Sequence, residues 1–278
     1  MYRIAYTVVI LACLLTFSAC EEEEVNIPPF VPPETDRVVL IEELTGASCP
    51  NCPAGGSELN RIKDQFGDNV AIVGIHSNFL GAPRENSRYD FRSPEAQQLD
   101  EFLGLYLGKP AAAINRRIFP GEDFRAIANL GSWASRVAEE LENPPTLNMF
   151  ASHSFVTETR ELDLEVGISG LSPLSGDLRL TVYITESGIE DLQLSQDGVI
   201  ENYVRNYTLR KVLSDVSGDP LPGEITSESN IRRNFSFEMP PEDGWWVAEN
   251  CSIIAFVTHH ISSSEMQVLQ AVEIPVVE

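Results

Sequence analysis

The sequence predicts two units of different class in one chain: an α/β unit over residues 37–145, then an all-β antiparallel sandwich over 146–278. Three observations predict it. Aliphatic runs at Val38–Ile41 and Val70–Ile75 bracket a stretch of helical period, at the spacing of a β-α-β crossover with parallel strands. Beyond Thr146 the period changes to alternation, as where Leu162, Leu164, Val166 and Ile168 are interleaved with Asp163, Glu165 and Gly167. Asn143-Pro144-Pro145, a helix-ending triplet, separates the two regimes.

Ahead of the first unit, Arg3 precedes an apolar run from Ile4 to Phe17. At about 14 residues it is too short to span a bilayer and has the form of a signal peptide over residues 1–19. Phe17-Ser18-Ala19-Cys20 resembles a bacterial lipobox, which makes Cys20 the expected lipidation site. Each buried CH₂ of the attached chains contributes about 0.8 kcal/mol of anchoring. Glu21 to Glu24 form either a solvated charge run or an acidic signal resembling the surface-export signal of Bacteroidota lipoproteins. The paired prolines of VNIPPFVPPETDR extend the tether, residues 20–36, as a polyproline-like spacer.

Composition agrees with an envelope location. A hydrophobic share of 43% in 278 residues fills one large core or two medium ones. The net charge of -23 argues against nucleic acid and anionic lipid as partners. With Cys20 lipidated, Cys49, Cys52 and Cys251 are the thiols of the mature chain, and outside the cytoplasm a close pair can stay oxidised.

In the first unit, Val38–Ile41 reads as a buried strand ending at Glu42-Glu43, and Ser57–Phe66 as a helix with Leu59, Ile62 and Phe66 on one face. Gly67-Asp68-Asn69 ends that helix and Val70–Ile75 is the second strand. Ser93-Pro94-Glu95 has the form of an N-cap, a first-position proline and a first-turn acid. The helix it opens is expected to run to about Tyr106 and stop at Gly108. Ala112–Arg117 is a short strand and Trp133–Leu141 an amphipathic helix.

In the second unit, the alternating stretches RELDLEVGIS, DLRLTVYIT and NFSFEM, with IIAFVT and VLQAVEI, are separated by turn clusters. About seven short strands of this kind suggest a sandwich of the immunoglobulin type. Trp245-Trp246 reads as a plug at the sandwich end or an exposed binding patch. His259-His260 is expected in a hairpin turn, with a metal role as the alternative, and Cys251 as a buried strand residue.

The chemistry concentrates in TGASCPNCPAGG, Thr45 to Gly56. Pro50 and Pro53 are both tolerated only where a helix is just beginning, because the earliest backbone N–H groups have no partner to lose. Cys49 is then expected at or just before the positive helix end, where its thiolate is favoured, making it the nucleophile. Cys52, one turn in, would resolve the mixed disulfide. Two alternatives stay open: a static structural disulfide, and a zinc site of Cys49, Cys52 and His76 that lacks a clear fourth ligand. Glu43 points inward as a buried acid or outward to solvent. His76, at the end of the second strand, either tunes the site or is an ordinary loop-edge polar residue.

The order strand, Cys-x-x-Cys at a helix start, strand, helix, Gly108-Lys109-Pro110, strand, helix resembles the thioredoxin fold. That resemblance implies a cis peptide at Pro110 facing the cysteines, and for Glu43 the role of a buried acid that moves protons. Ser48 departs from it, standing where an aromatic residue usually precedes the first cysteine. EELTGASCPNCP, GKPAAAINR (with its Asn115-Arg116 pair) and NYTLRKVL together resemble the small, 28-kilodalton-type outer-membrane lipoprotein family of Bacteroidota, more specifically in the first half than in the second. The resemblance implies a lipid-anchored, surface-exposed envelope protein with thioredoxin-like and immunoglobulin-like halves. It calls for no cofactor and supplies no substrate. Two functions follow: thiol-disulfide exchange with a protein partner through Cys49 and Cys52, or non-catalytic binding of a surface partner around a static Cys49–Cys52 disulfide.

Overall fold

The computed structural model describes residues 36–243, 245–262 and 265–277. The signal segment, Cys20 and the run Glu21 to Glu24 lie outside the described residues. No helix among the described residues is long and apolar enough to cross a membrane.

The first half runs β1 (Val39–Thr45), α1 (Cys52–Phe66), β2 (Val70–His76), α2 (Pro94–Leu103), β3 (Ala111–Ile114), β4 (Ala126–Ile127) and α3 (Leu130–Leu141). β1 and β2 are parallel from Val39 opposite Val70 to Thr45 opposite His76, while β3 is antiparallel to β1 and β4 to β3. The two parallel strands are unbroken aliphatic runs because both faces of the sheet are covered. Val39, Ile41, Val70 and Ile72 pack against Leu59, Ile62 and Phe66 of α1 and Trp133 and Val137 of α3. Leu40, Ala71 and Val73 pack on the other face with Ala96, Leu99 and Leu103 of α2. Double coverage also explains why β1 does not end at its acidic pair: Glu42 and Glu43 are both strand residues and both buried.

Three helix ends differ from expectation, the simplest being α3, which begins at Leu130 rather than Trp133. α1 begins at Cys52 rather than near Ser57, so it includes Gly55 and Gly56 despite their poor helix propensity. A Cβ on Gly55 would lie 2.5 Å from Glu43 Oε1 and 2.8 Å from Pro110 Cβ, so close approach demands glycine there. α2 has the expected cap, with Ser93 Oγ accepting from Ala96 N at 3.0 Å, but stops at Gly104, whose φ of 91° ends the helix before Tyr106.

The second half adds β5 (Leu147–Val156), β6 (Glu161–Gly170), β7 (Leu174–Ser175), β8 (Asp177–Glu186), β9 (Ile189–Ser195), β10 (Gly198–Arg205), β11 (Thr208–Val212), β12 (Asp219–Pro220), β13 (Glu224–Ile225), β14 (Ile231–Glu238), β15 (Cys251–His260) and β16 (Met266–Pro275). These are mostly small sandwich-like sheets around a mixed one. β14-β6-β5 form a three-stranded sheet whose inner residues, Leu162, Leu164, Val166 and Ile168, share a core with Leu180, Val182, Ile253 and Val257 of β8 and β15. Trp246 is buried in that core and Trp245 stacks on Tyr89 at 4.8 Å between centroids, so the pair closes the sandwich end rather than offering a patch. His259 and His260 are the last residues of β15, opposite Gln267 and Met266, not a hairpin turn. Cys251 is buried on β15, where burial pushes its thiol up to about 12.

β8, β11, β15 and β16 do not stand apart from the first half. Among the described residues they extend its sheet, in the order β16-β15-β8-β11-β2-β1-β3-β4, with β11 parallel to β2 where Thr208 meets Gly74. Tyr183, Leu209, Ile254, Phe256 and Val268 complete the core that Leu40, Val73 and α2 begin. The sheet and this core therefore run across the expected junction at residues 145 and 146. A fragment ending at Asn143 would leave the β2 edge unpaired and bare the part of the β1–β2 face that Tyr183, Leu209, Ile254, Phe256 and Val268 cover, with α2 alone left on it. We expect an Arg37–Asn143 fragment to show no cooperative urea transition while the mature chain shows one. A cooperative transition in the fragment, with α/β circular dichroism, would show that the two halves fold independently.

Candidate functional site

Cys49 and Cys52 are joined as a disulfide with Cα atoms 5.4 Å apart. Cys52 is the first residue of α1, with Asn51 at the N-cap position and Pro53 in the first turn, and Cys49 sits in the turn before the helix. The pair thus straddles the helix start: Cys49 lies just before it as expected, but Cys52 is the first helical residue rather than one turn in. The field of the helix N-terminus acts on both sulfurs. Cys52 N donates to Cys49 O at 3.3 Å, closing the turn.

The three other expected residues, Pro110, Glu43 and His76, lie beside the start of α1. The Lys109–Pro110 peptide is cis, and the ring of Pro110 meets Gly55 beside the carboxylate of Glu43. Glu43 is 4% exposed, and burial drives its carboxyl up to about 8 against the opposing pull of Thr45 and Lys109. His76, also 4% exposed, is held well below the ordinary histidine range by burial and by the charges of Arg205 and Lys109, so it is neutral. A cavity of about 30 Å³ is lined by Glu43, Cys52, His76, Gln193, Tyr203 and Arg205 among others. Glu43 Oε1 and His76 Nδ1 are buried without a protein hydrogen-bond partner. On the other side of the cysteines an open groove runs between Pro50, Pro53, Leu107, Lys109 and Pro110. Leu107 at its rim is 83% exposed.

Lys109 was not foreseen as part of the site. Its ammonium is buried, donating to Thr45 O at 2.9 Å and Ser77 Oγ at 2.7 Å, with Asp100 Oδ2 at 3.6 Å. Burial lowers it to about 8 despite Asp100. Its bond to Thr45 ties the cis-proline loop to the end of β1, just before the cysteine turn.

A second unforeseen feature covers the disulfide. The hairpin β9–β10 belongs to neither the sandwich nor the large sheet. Gln193 Nε2 donates to Gly46 O at 3.2 Å and Cys49 O at 3.0 Å, Leu194 N donates to Ala47 O at 2.9 Å, and Gln196 Nε2 donates to Asn51 Oδ1 at 2.6 Å. With this cover Cys49 is 0% and Cys52 3% exposed. A sequence signal existed: Asp197-Gly198 between alternating stretches is a two-strand turn signal. Among the described residues no three His, Cys, Asp or Glu side chains converge as a metal site.

Residues 96–275 match the family described as Outer membrane protein Omp28, a match that begins beyond the cysteine pair. Among solved structures, the chain is similar to HBP35 of Porphyromonas gingivalis, at 17% identity and a TM-score of 0.67 over 87% of this chain and 76% of that one. It is also similar to protein AGR_C_4864 from Agrobacterium tumefaciens, at 14% identity and a TM-score of 0.54 over 88% of this chain and 97% of that one. Likenesses at these identities show the fold alone. No curated protein sequence matches the chain.

Proposed function

The chain belongs to the Omp28 family of outer membrane proteins, and from that premise we propose that it is a lipid-anchored, surface-exposed Bacteroidota lipoprotein that exchanges disulfides with a protein partner. In this proposal Cys20 carries the lipid, residues 37–145 act as a thioredoxin-like unit, and residues 146–278 form an immunoglobulin-like support. One observation carries the exchange: the Cys49–Cys52 disulfide sits at a helix start, with cis Pro110 and the buried, proton-holding Glu43 converging on Gly55 of the same helix.

In the dithiol form, the Cys49 thiolate attacks a partner disulfide and expels one partner thiolate, leaving a mixed disulfide. The Glu43 carboxylate takes the proton of Cys52, directly or through a water in the cavity it shares with His76. The Cys52 sulfur then attacks Cys49 Sγ, forming the intramolecular disulfide and releasing the second partner thiolate. Two electrons pass from the cysteine pair to the partner. With a pKa of about 8, Glu43 is matched to a thiol near neutral pH.

Burial of both sulfurs favours the second function, a static disulfide within a surface-binding lipoprotein. A reduction potential separates the two: between about -270 and -120 mV for an exchanger, below about -300 mV for a staple. Cys52→Ser is expected to trap mixed disulfides through Cys49, and Cys49→Ser to trap few. If neither variant traps a partner and the potential lies below the exchanger range, the exchange function falls.

A further inference from the structure

We propose that the β9–β10 hairpin is a lid over the Cys49–Cys52 disulfide, and that its opening governs how fast the pair reacts. The proposal deepens the exchange function and rests on it for its biological meaning, but the lid is testable without it.

Three features argue that this cover opens. First, its contact face is polar. The inward residues of β9 are Ile189, Asp191 and Gln193, and of these Ile189 alone belongs to an apolar cluster, the small one with Tyr89 and Phe91. A permanently buried strand face would be apolar throughout, whereas polar contact suits a surface that parts and re-forms. Second, the hairpin stands as its own two-stranded sheet, and two strands alone are marginal in water. Its closure depends on Gln193 and Leu194 on the cysteine turn, on Asp191, whose carboxylate accepts from Arg88 N and Tyr89 N at 2.9 Å each, and on Arg205 of β10, whose buried guanidinium lies 4.4 Å over the Phe91 ring. Third, both ends of the hairpin carry left-handed backbone, Gly188 at φ 74° and Tyr207 at φ 60°. Opening would turn about Gly188, because Tyr207 is held to β2 by Gly74 N, which donates to its oxygen at 2.7 Å.

Gln193 and Leu194 offer three N–H groups to the carbonyls of Gly46, Ala47 and Cys49, the atoms an approaching extended segment would engage. The lid occupies the approach face as an internal stand-in for a partner. Displacing it exposes those carbonyls and the sulfurs together. The partner that gains most is therefore an extended segment that brings its own N–H donors along with its thiol or disulfide.

The test is reduction of the oxidised full mature chain by dithiothreitol, in which one dithiothreitol thiolate attacks a cysteine sulfur, the other closes the ring, and Cys49 and Cys52 are left as thiols. Gln193→Ala and Gln193→Ala/Gln196→Ala are expected to be reduced about tenfold faster than wild type or more, from the loss of the two or three bonds that hold the hairpin to the cysteine turn and of the Gln193 acceptor for Arg205. The denaturation midpoint should move little. In wild type the Leu194 amide should exchange with deuterium far sooner than the core amides of β1, by an opening smaller than global unfolding. Reduction rates equal to wild type in both variants, or a Leu194 amide as protected as those of β1, would overturn the lid. Faster reduction in the variants with no trapped partner would leave the lid standing and remove the exchange function. Trapping with unchanged rates would do the reverse.

Discussion

Replacing Arg116 by alanine is expected to lower stability by about 3–5 kcal/mol, the cost of leaving a buried charge unpaired. Arg116 and Glu42 are both fully buried. The guanidinium donates twice to the Glu42 carboxylate, at 2.8 and 2.7 Å, and to Tyr183 Oη at 2.8 Å, while the Tyr183 hydroxyl donates to Glu42 at 2.9 Å. The rings of Phe102 and Phe256 flank the guanidinium at 5.2 and 4.8 Å. Glu42 lies on β1, Arg116 in the turn after β3 and Tyr183 on β8, so the triad joins the two halves inside their shared core. Its neighbour Asn115 does related work: its carboxamide oxygen accepts from Leu40 N at 2.9 Å, its NH₂ donates to Glu140 at 2.7 Å, and its backbone oxygen accepts from Val268 N at 2.9 Å. The Asn-Arg pair is a structural clamp. Urea unfolding of Arg116→Ala checks this, with Glu42→Gln/Arg116→Met as the partner variant. The double variant removes both charges and should recover much of the loss. A single variant within 1 kcal/mol of wild type would show that the clamp contributes little.

Glu43→Gln should have an effect of similar size and opposite sign. The native carboxyl, at about 8, holds a proton that the unfolded chain surrenders near the ordinary value of 4.5. Native stability from this group is complete below about pH 4.5 and is lost as pH rises toward 8, by on the order of 5 kcal/mol. Glutamine carries no such loss. The variant should therefore match wild type near pH 4.5, exceed it by roughly 3 kcal/mol at pH 7, and exceed it most above pH 8. His76 acts oppositely: its lowered value removes stability as pH falls below 6.5. Lys109, lowered to about 8, restores stability between there and 10.5. Both groups are present in each protein and largely cancel in the difference. Urea titrations from pH 4.5 to 9 measure it. The same variant should exchange disulfides more slowly, because Cys52 loses its proton acceptor. Destabilisation of Glu43→Gln at every pH would mean that the carboxyl is held ionised and does no proton work.

Part of this molecule was legible without coordinates, where the signal is local. The aliphatic runs of β1 and β2 announce strands covered on both faces, Ser93-Pro94 is a helix cap by its own chemistry, and Cys49, Cys52 and Pro110 mark a candidate site by residue type and spacing. Tertiary structure decided the rest. Alternation in β8 marks one face as apolar, but cannot say that Thr181, Tyr183 and Thr185 on the other face meet a second core rather than water. Alternation likewise places Glu42 and Glu43 on opposite faces without assigning one to a structural clamp and the other to the cysteines. Only the pairing of β11 with β2 made the halves one sheet, and only the return of β9 over Gly46 and Cys49 made the disulfide a covered one. Period and spacing report the chain's near neighbours. Which edge a strand joins, and what lies above a site, depends on contacts between residues remote in sequence, whose free energy exists only once both surfaces have formed.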